Sequence, residues 1–338
     1  NVSKWKNFSK TPILIFCMHL RIDVSYPFKH TGPFKSMVFD CFNVKLQNMR
    51  FKLIIVLFAT IIVCFSCTDK DDVRTEEPQL IINFKFDPAQ VRLDNFGEPS
   101  SVATGNAAQS PVFNSISAHY FELAPSAFTA LGDGAVLYKA SETMNGGAKA
   151  IDFSQAKIVG ENEVFLSIPI SQVPQGNYEY VRVSLSYQNY NIAVRNNSVD
   201  YTGTLESFVG YNTYLTTHYI GNNAFPVNGN RLQGYWAFAL NGVPYATSGQ
   251  APEGSTTVPN PIANTSPIPA GSCVVTGKFQ TNLIINSNET KNIYVTLSLS
   301  NNNSFEWQEV TQDGKYEPSI GENVVDMGLR GLIPSFLK

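Results

Sequence analysis

From Tyr178 to Val194 the chain alternates between two rows of side chains, and no other feature narrows its fold as much. Tyr178, Tyr180, Arg182, Ser184 and Ser186 form one row; Val181, Val183, Leu185 and Tyr187 form the other. A period of two is that of a β-strand, whose successive side chains point to opposite faces. The run is far longer than the usual strand of about 5–6 residues, so a bulge or bend is expected near Gln188 and Asn189. Shorter runs of the same kind lie at Leu80–Phe86, Ile116–Leu123, Ala135–Tyr138, Ala150–Phe153 and Glu163–Ile170. Tyr201–Ile220 reads as strand with Gly203 and Gly210 as bends, and Leu232–Leu240 ends in Asn241-Gly242, a strong hairpin signal. Tyr245–Gly271, with its prolines, reads as a long loop. Cys273–Asn286 and Asn292–Ser300 read as a hairpin, and Ser304–Val310 as a last strand before a polar C-terminal segment. Apart from one possible helical turn at Pro125–Leu131, no amphipathic helix is visible. The expected fold is therefore all-β, an antiparallel β-sandwich with long loops and little helix, formed by residues 79–338 as a single domain.

Composition agrees with that class. Only 15% of the 338 residues are charged, whereas 12% are aromatic. The net charge of −3 hides an asymmetry. Residues 1–66 carry nine Lys/Arg against two Asp/Glu, which leaves fifteen against twenty-five, a balance of −10, for residues 67–338. An acidic working domain is a poor match for phosphate backbones, so nucleic acid is not an expected partner.

The basic half of that asymmetry belongs to a leader. Met49-Arg50-Phe51-Lys52 is a short cationic head, Leu53–Phe65 is a mostly apolar core, and Ser66-Cys67 closes it. This is the layout of a secretory signal peptide, and the core is shorter than the roughly 20 residues of a membrane span. The segment resembles the signal peptide of a bacterial lipoprotein, in which the cysteine after a small residue is acylated and becomes the new N-terminus. Cys64 and Phe65 depart from the usual lipobox residues. Thr68-Asp69-Lys70-Asp71-Asp72 then resembles the acidic export tag of surface-exposed lipoproteins in Bacteroidota-type bacteria. The resemblance covers residues 49–72 and implies lipidation of Cys67, a lipid bilayer as partner and an outer-membrane, outward-facing location. Residues 67–78 would be the tether. Residues 1–48 begin with Asn1 and are expected to be translated sequence upstream of a start at Met49. With Cys67 acylated, Cys273 has no partner in the chain, so neither a disulfide scaffold nor a Cys-based zinc site is expected.

Two constellations offer chemistry behind the tether. Asp313, Glu317, Glu322 and Asp326 lie close together, interleaved with Gly314 and Gly321, and carboxylates on tight turns suit calcium, a hard cation that takes several oxygens. The bland alternative is an acidic surface loop. Tyrosines and tryptophan crowd the middle of the chain, and Tyr211, Tyr214, Tyr235 and Trp236 are candidates to stack on a sugar; the alternative is that they fill a β core. His119 and His218 are expected to be packed or surface histidines, with His119 on the Phe121 face of its strand. No Gly-x-Ser-x-Gly elbow or phosphate loop is present in the domain.

These readings favour a surface lipoprotein that binds a glycan, peptide or other nutrient without transforming it, with an outer-membrane transporter as a candidate partner. A structural or adhesive surface protein is the alternative, and a secreted hydrolase the third.

Overall fold

The computed structural model describes residues 77–93, 98–251, 274–327 and 329–338. Cys67, the leader and the acidic tether therefore lie outside the described residues, as do residues 252–273 of the long loop.

The described chain is almost entirely strand. In order it forms β1 (Gln79–Asp87), β2 (Asn106–Gln109), β3 (Val112–Ala124), β4 (Ala135–Lys139), β5 (Glu142–Thr143), β6 (Ala150–Asp152) and β7 (Val164–Pro169). There follow β8 (Gly176–Asn196), β9 (Val199–Phe208), β10 (Thr213–Ile220), β11 (Asn223–Arg231), β12 (Tyr235–Leu240) and β13 (Ala246–Gln250). The last five are β14 (Val274–Ile285), β15 (Ile293–Ser300), β16 (Phe305–Gln308), β17 (Asn323–Met327) and β18 (Arg330–Leu337). Helix among the described residues is limited to single 3-10 turns such as Phe153–Gln155. Pro125–Leu131 forms turns and bends instead of the expected helical turn.

One long sheet is the common wall of the molecule. Its order is β13-β12-β9-β8-β3-β4, and β14 adds to the first half of β8. A second sheet, β18-β15-β1-β7, packs on it to make a β-sandwich. Ile82, Phe84, Phe165, Val295 and Leu297 from the second sheet meet Phe121, Leu123, Val181, Val183 and Val275 from the first in one buried cluster. Each such side chain, taken out of water, contributes on the order of 1.5–3 kcal/mol. A three-stranded sheet, β17-β16-β2, covers the other half of β8, with Phe305 and Trp307 against Tyr190, Ile192, Val194 and Leu205. A fourth sheet, β11-β10-β6-β5, adds Leu215, Ile220 and Phe225 to smaller apolar clusters with the long sheet.

The strand pairs are antiparallel except for β1 with β15 and β6 with β10, which run parallel. Several expectations are corrected here. β14 and β15 are not a hairpin: β14 pairs with β8 and β15 with β1 and β18, so the chain crosses from one layer of the sandwich to the other between them. The run 201–220 is two strands in different sheets. Gly203 lies inside β9 without bending it, and the turn comes at residues 209–212. β13 lies in the segment read as a long loop and β17 and β18 in the C-terminal segment read as polar, and no strand was expected at β2 or β11. The Asn241-Gly242 turn does join β12 to β13, with Gly242 at φ +76°.

The ladder of β8 with β3 is irregular opposite Asn189 and Tyr190, near the place expected, and β8 is bulged again earlier in the strand. Its register on β3 passes from Ser117↔Tyr187 to Ala118↔Leu185, which leaves Ser186 without an opposite residue. The extra residue reverses the alternation. Val181, Val183 and Leu185 serve the main core, and beyond the bulge Tyr190, Ile192 and Val194 take over. Tyr187 leaves that row and joins Phe208, Leu215 and Tyr235 in a separate cluster. On β3 the matching irregularity falls between Ala118 and Tyr120. It removes His119 from the Phe121 row, so the face predicted for that histidine is wrong.

Candidate functional site

Both histidines of the described chain join the long sheet to the fourth sheet. His119 of β3 is fully buried, and its Nε2 lies 3.1 Å from Glu142 Oε1 on β5. Burial lowers the His119 pKa, although the bond to Glu142 opposes the change. Burial would raise the Glu142 pKa, but bonds to Lys149 and His119 outweigh it and keep this carboxyl below its ordinary value. Tyr211 stacks on the imidazole with ring centroids 5.9 Å apart. In the opposite sense, His218 of β10 places Nε2 2.8 Å from Glu206 Oε2 on β9, and Asn189 donates to the other Glu206 oxygen at 2.6 Å. Phe153, Phe208 and Tyr235 surround His218. Both histidines are buried between sheets, Glu206 with His218 and the half-buried Glu142 with His119, which suits holding layers together more than meeting a substrate.

Another buried carboxylate lies on β3. Glu122 accepts backbone N–H groups from Gly132 at 3.1 Å and Gly134 at 2.7 Å, and Arg182 of β8 lies 3.8 Å from its second oxygen. Burial raises its pKa. It is completely enclosed, so it is not presented in a cleft.

An open groove of about 510 Å³ lies where β11 meets the edge hairpin β12–β13. Among the described residues β11 pairs only with β10, and Pro226 is tolerated there because the strand is at a sheet edge. Phe225 and Val227 point inward to the apolar clusters. Phe225, Val227 and Tyr235 give the groove apolar surface, while Asn230, Arg231, Ser248 and Gln250 line it with hydrogen-bonding groups. Leu232 is 62% exposed at the same groove. The Arg231 guanidinium lies over the Tyr235 ring, its central carbon 5.1 Å from the centroid. Stacking of this kind leaves the edge N–H groups of arginine available to a ligand. Gln250 donates to the Gln233 carbonyl at 2.6 Å, which ties the end of β13 to the turn before β12.

Of the four aromatic candidates, only Tyr235 lines this groove. Trp236 is on the opposite face of β12, against Gly249, and Tyr214 bonds Asn228 Oδ1 at 3.1 Å. Tyr211 covers His119 instead. Arg231 was not singled out from the sequence; the available signal was an arginine four residues before Tyr235 in an Asn/Gly-rich stretch.

The calcium candidates are placed with separate partners. Asp313 pairs with Arg195 at 3.0 Å, and Asp326 with Arg92 at 3.1 Å. Glu322 is buried and caps the loop: its oxygens accept N–H groups from Val310 at 3.1 Å and Glu317 at 2.6 Å. Glu317 precedes the 3-10 turn Pro318–Ile320. Among the described residues no three His, Cys, Asp or Glu side chains converge as metal ligands. No described helix is long and apolar enough to cross a membrane. No family model matches the chain, and neither the curated proteins nor the solved structures contain a match to it.

Proposed function

We propose that the protein is a non-catalytic binding lipoprotein, held at the outer membrane by acylated Cys67 and facing outward, whose domain captures a saccharide in the groove between β11 and β12–β13. The groove is the observation that carries this reading. It combines apolar surface from Phe225, Val227 and Tyr235 with the amide, hydroxyl and guanidinium groups of Asn230, Gln250, Ser248 and Arg231. Sugars need both kinds of surface, one for their C–H faces and one for their hydroxyls. His119, His218, Glu122 and Glu206 are buried, which suits packing roles for these four groups.

Two experiments test the two halves of the proposal. A glycan array probed with the purified protein should give hits that weaken when Gln250 and Asn230 are replaced by alanine; a blank array would refute saccharide capture. Radiolabelled palmitate should enter the wild-type protein and not a Cys67→Ser variant, and labelling of both or neither would refute the anchor.

A further inference from the structure

We infer that the ligand of this groove is an acidic saccharide, whose carboxylate or sulfate oxygens are held by the Arg231 guanidinium. The inference rests on the saccharide-binding reading and adds the ligand's charge.

Three observations converge on Arg231. First, among the four arginines whose side chains are described, it is the one without a carboxylate. Arg92 pairs with Glu306 and Asp326, Arg182 lies beside Glu122, and Arg195 holds Asp200 and Asp313. Among the described residues Arg231 forms no such ion pair, and its one described side-chain hydrogen bond is a long 3.4 Å contact to the Asn230 carbonyl. Second, none of the described residues lining the groove is acidic, although residues 67–338 as a whole carry an excess of carboxylates. The groove is therefore a basic spot on an acidic domain. Third, the guanidinium is held over the Tyr235 ring, and Tyr235 is itself only 5% exposed and fixed among Phe208, Tyr187 and Leu215. The cation is placed before any ligand arrives.

A guanidinium held in this way presents two parallel N–H donors, which match the two oxygens of a carboxylate or sulfate. A neutral sugar hydroxyl uses one donor and leaves the charge unanswered. Asn230, Ser248 and Gln250 remain for the hydroxyls of the same ring or of its neighbours.

The test is calorimetric titration of the purified, full-length mature protein with oligogalacturonate, with its fully methyl-esterified counterpart and with a sulfated oligosaccharide of similar length. An acidic probe should bind, and its affinity should fall as salt rises. The methyl ester, which keeps the rings and loses the charge, should bind at least tenfold more weakly. Arg231→Ala should reduce affinity for the acidic probe at least tenfold, whereas Arg231→Lys should retain part of it. Binding of oligogalacturonate assigns the anion as carboxylate; binding of the sulfated probe alone assigns it as sulfate. Equal affinity for the methyl ester and the free acid would overturn the inference while leaving saccharide capture intact. Hits for neutral glycans alone on the array would do the same, and a blank array would remove the reading beneath it. The ester comparison needs no variant, so it stands even if Arg231→Ala does not fold.

Discussion

Gly277 offers a direct test of how closely β14 and β18 approach. A methyl group built on Gly277 would lie 2.2 Å from Leu332 Cδ1, 2.7 Å from the Leu332 carbonyl oxygen and 2.7 Å from Pro334 Cδ. The leucine methyl could turn away, but the carbonyl and the proline ring cannot. Gly277→Ala therefore requires β18 or β14 to move, at the site where Val275, Phe279 and Leu332 share the main core. Overpacking of a tight core costs about 1–3 kcal/mol, and the rigid contacts favour the upper end. For a domain of this size each kcal/mol lowers Tm by roughly 2–4 °C, so the variant should melt about 6–12 °C below wild type. Gly229 is the control. A methyl group there meets nothing nearer than Val227 O at 3.8 Å, and the position does not have a positive φ. Gly229→Ala should leave Tm unchanged or raise it, because alanine reduces the freedom of the unfolded chain by about 0.4–1 kcal/mol. Differential scanning calorimetry at one pH and protein concentration measures both. If Gly277→Ala melts within 2 °C of wild type, as an approximate threshold, the close approach and the packing argument built on it are wrong.

Other outcomes follow from the ion pairs and the core. His119 has a lowered pKa in the folded protein, so the unfolded chain takes up the proton first. This histidine's contribution is present above the unfolded pKa of about 6.5 and is lost as pH falls from there toward the lower folded value. Denaturant midpoints measured downward from pH 7 should show that slope, and His119→Phe should flatten it. Arg92→Met leaves the buried Glu306 without the guanidinium that pairs with it at 2.7 Å, and should cost about 3–5 kcal/mol in urea unfolding. Trp307→Ala removes a fully buried ring beside Phe305 and Tyr316 and should cost about 3–5 kcal/mol by the same measurement. Because Asp313, Glu322 and Asp326 already have partners within the chain, exchange between EDTA and millimolar calcium should leave Tm unchanged; a clear rise with calcium would mean that they rearrange around a cation.

What could be read from the sequence follows from burial. β1 and β12 bury one face, so their alternation survives in the residue pattern. β11 was invisible because Asn223, Pro226, Asn228 and Gly229 interrupt it, and an edge strand needs only Phe225 and Val227 to point inward. The irregularity opposite Asn189 and Tyr190 lies where the length of the run placed it, whereas the bulge at Ser186 could not be located, since a reversal of alternation looks the same for several residues on either side. The same ambiguity put His119 on the wrong face. β14 and β15 were read as a hairpin because they are adjacent, yet their partners lie far away in the chain, and no local signal marks a crossing between layers. In the groove, aromatic crowding pointed to Tyr235. Arg231 was missed because its isolation from carboxylates is a property of the folded surface alone.

The parallel pairing of β1 with β15 also governs the order in which the molecule can assemble. Gln79 bonds Asn292 across 213 residues, and β15 in turn needs β18 near the C-terminus. Until β15 is made, β1 has only β7 beside it and leaves one edge open next to Leu80, Ile82 and Phe84. Such long-range closure is slow, and an open apolar edge invites pairing with other chains. A growing chain therefore cannot finish its first sheet early, and that sheet stays open until its last strands arrive.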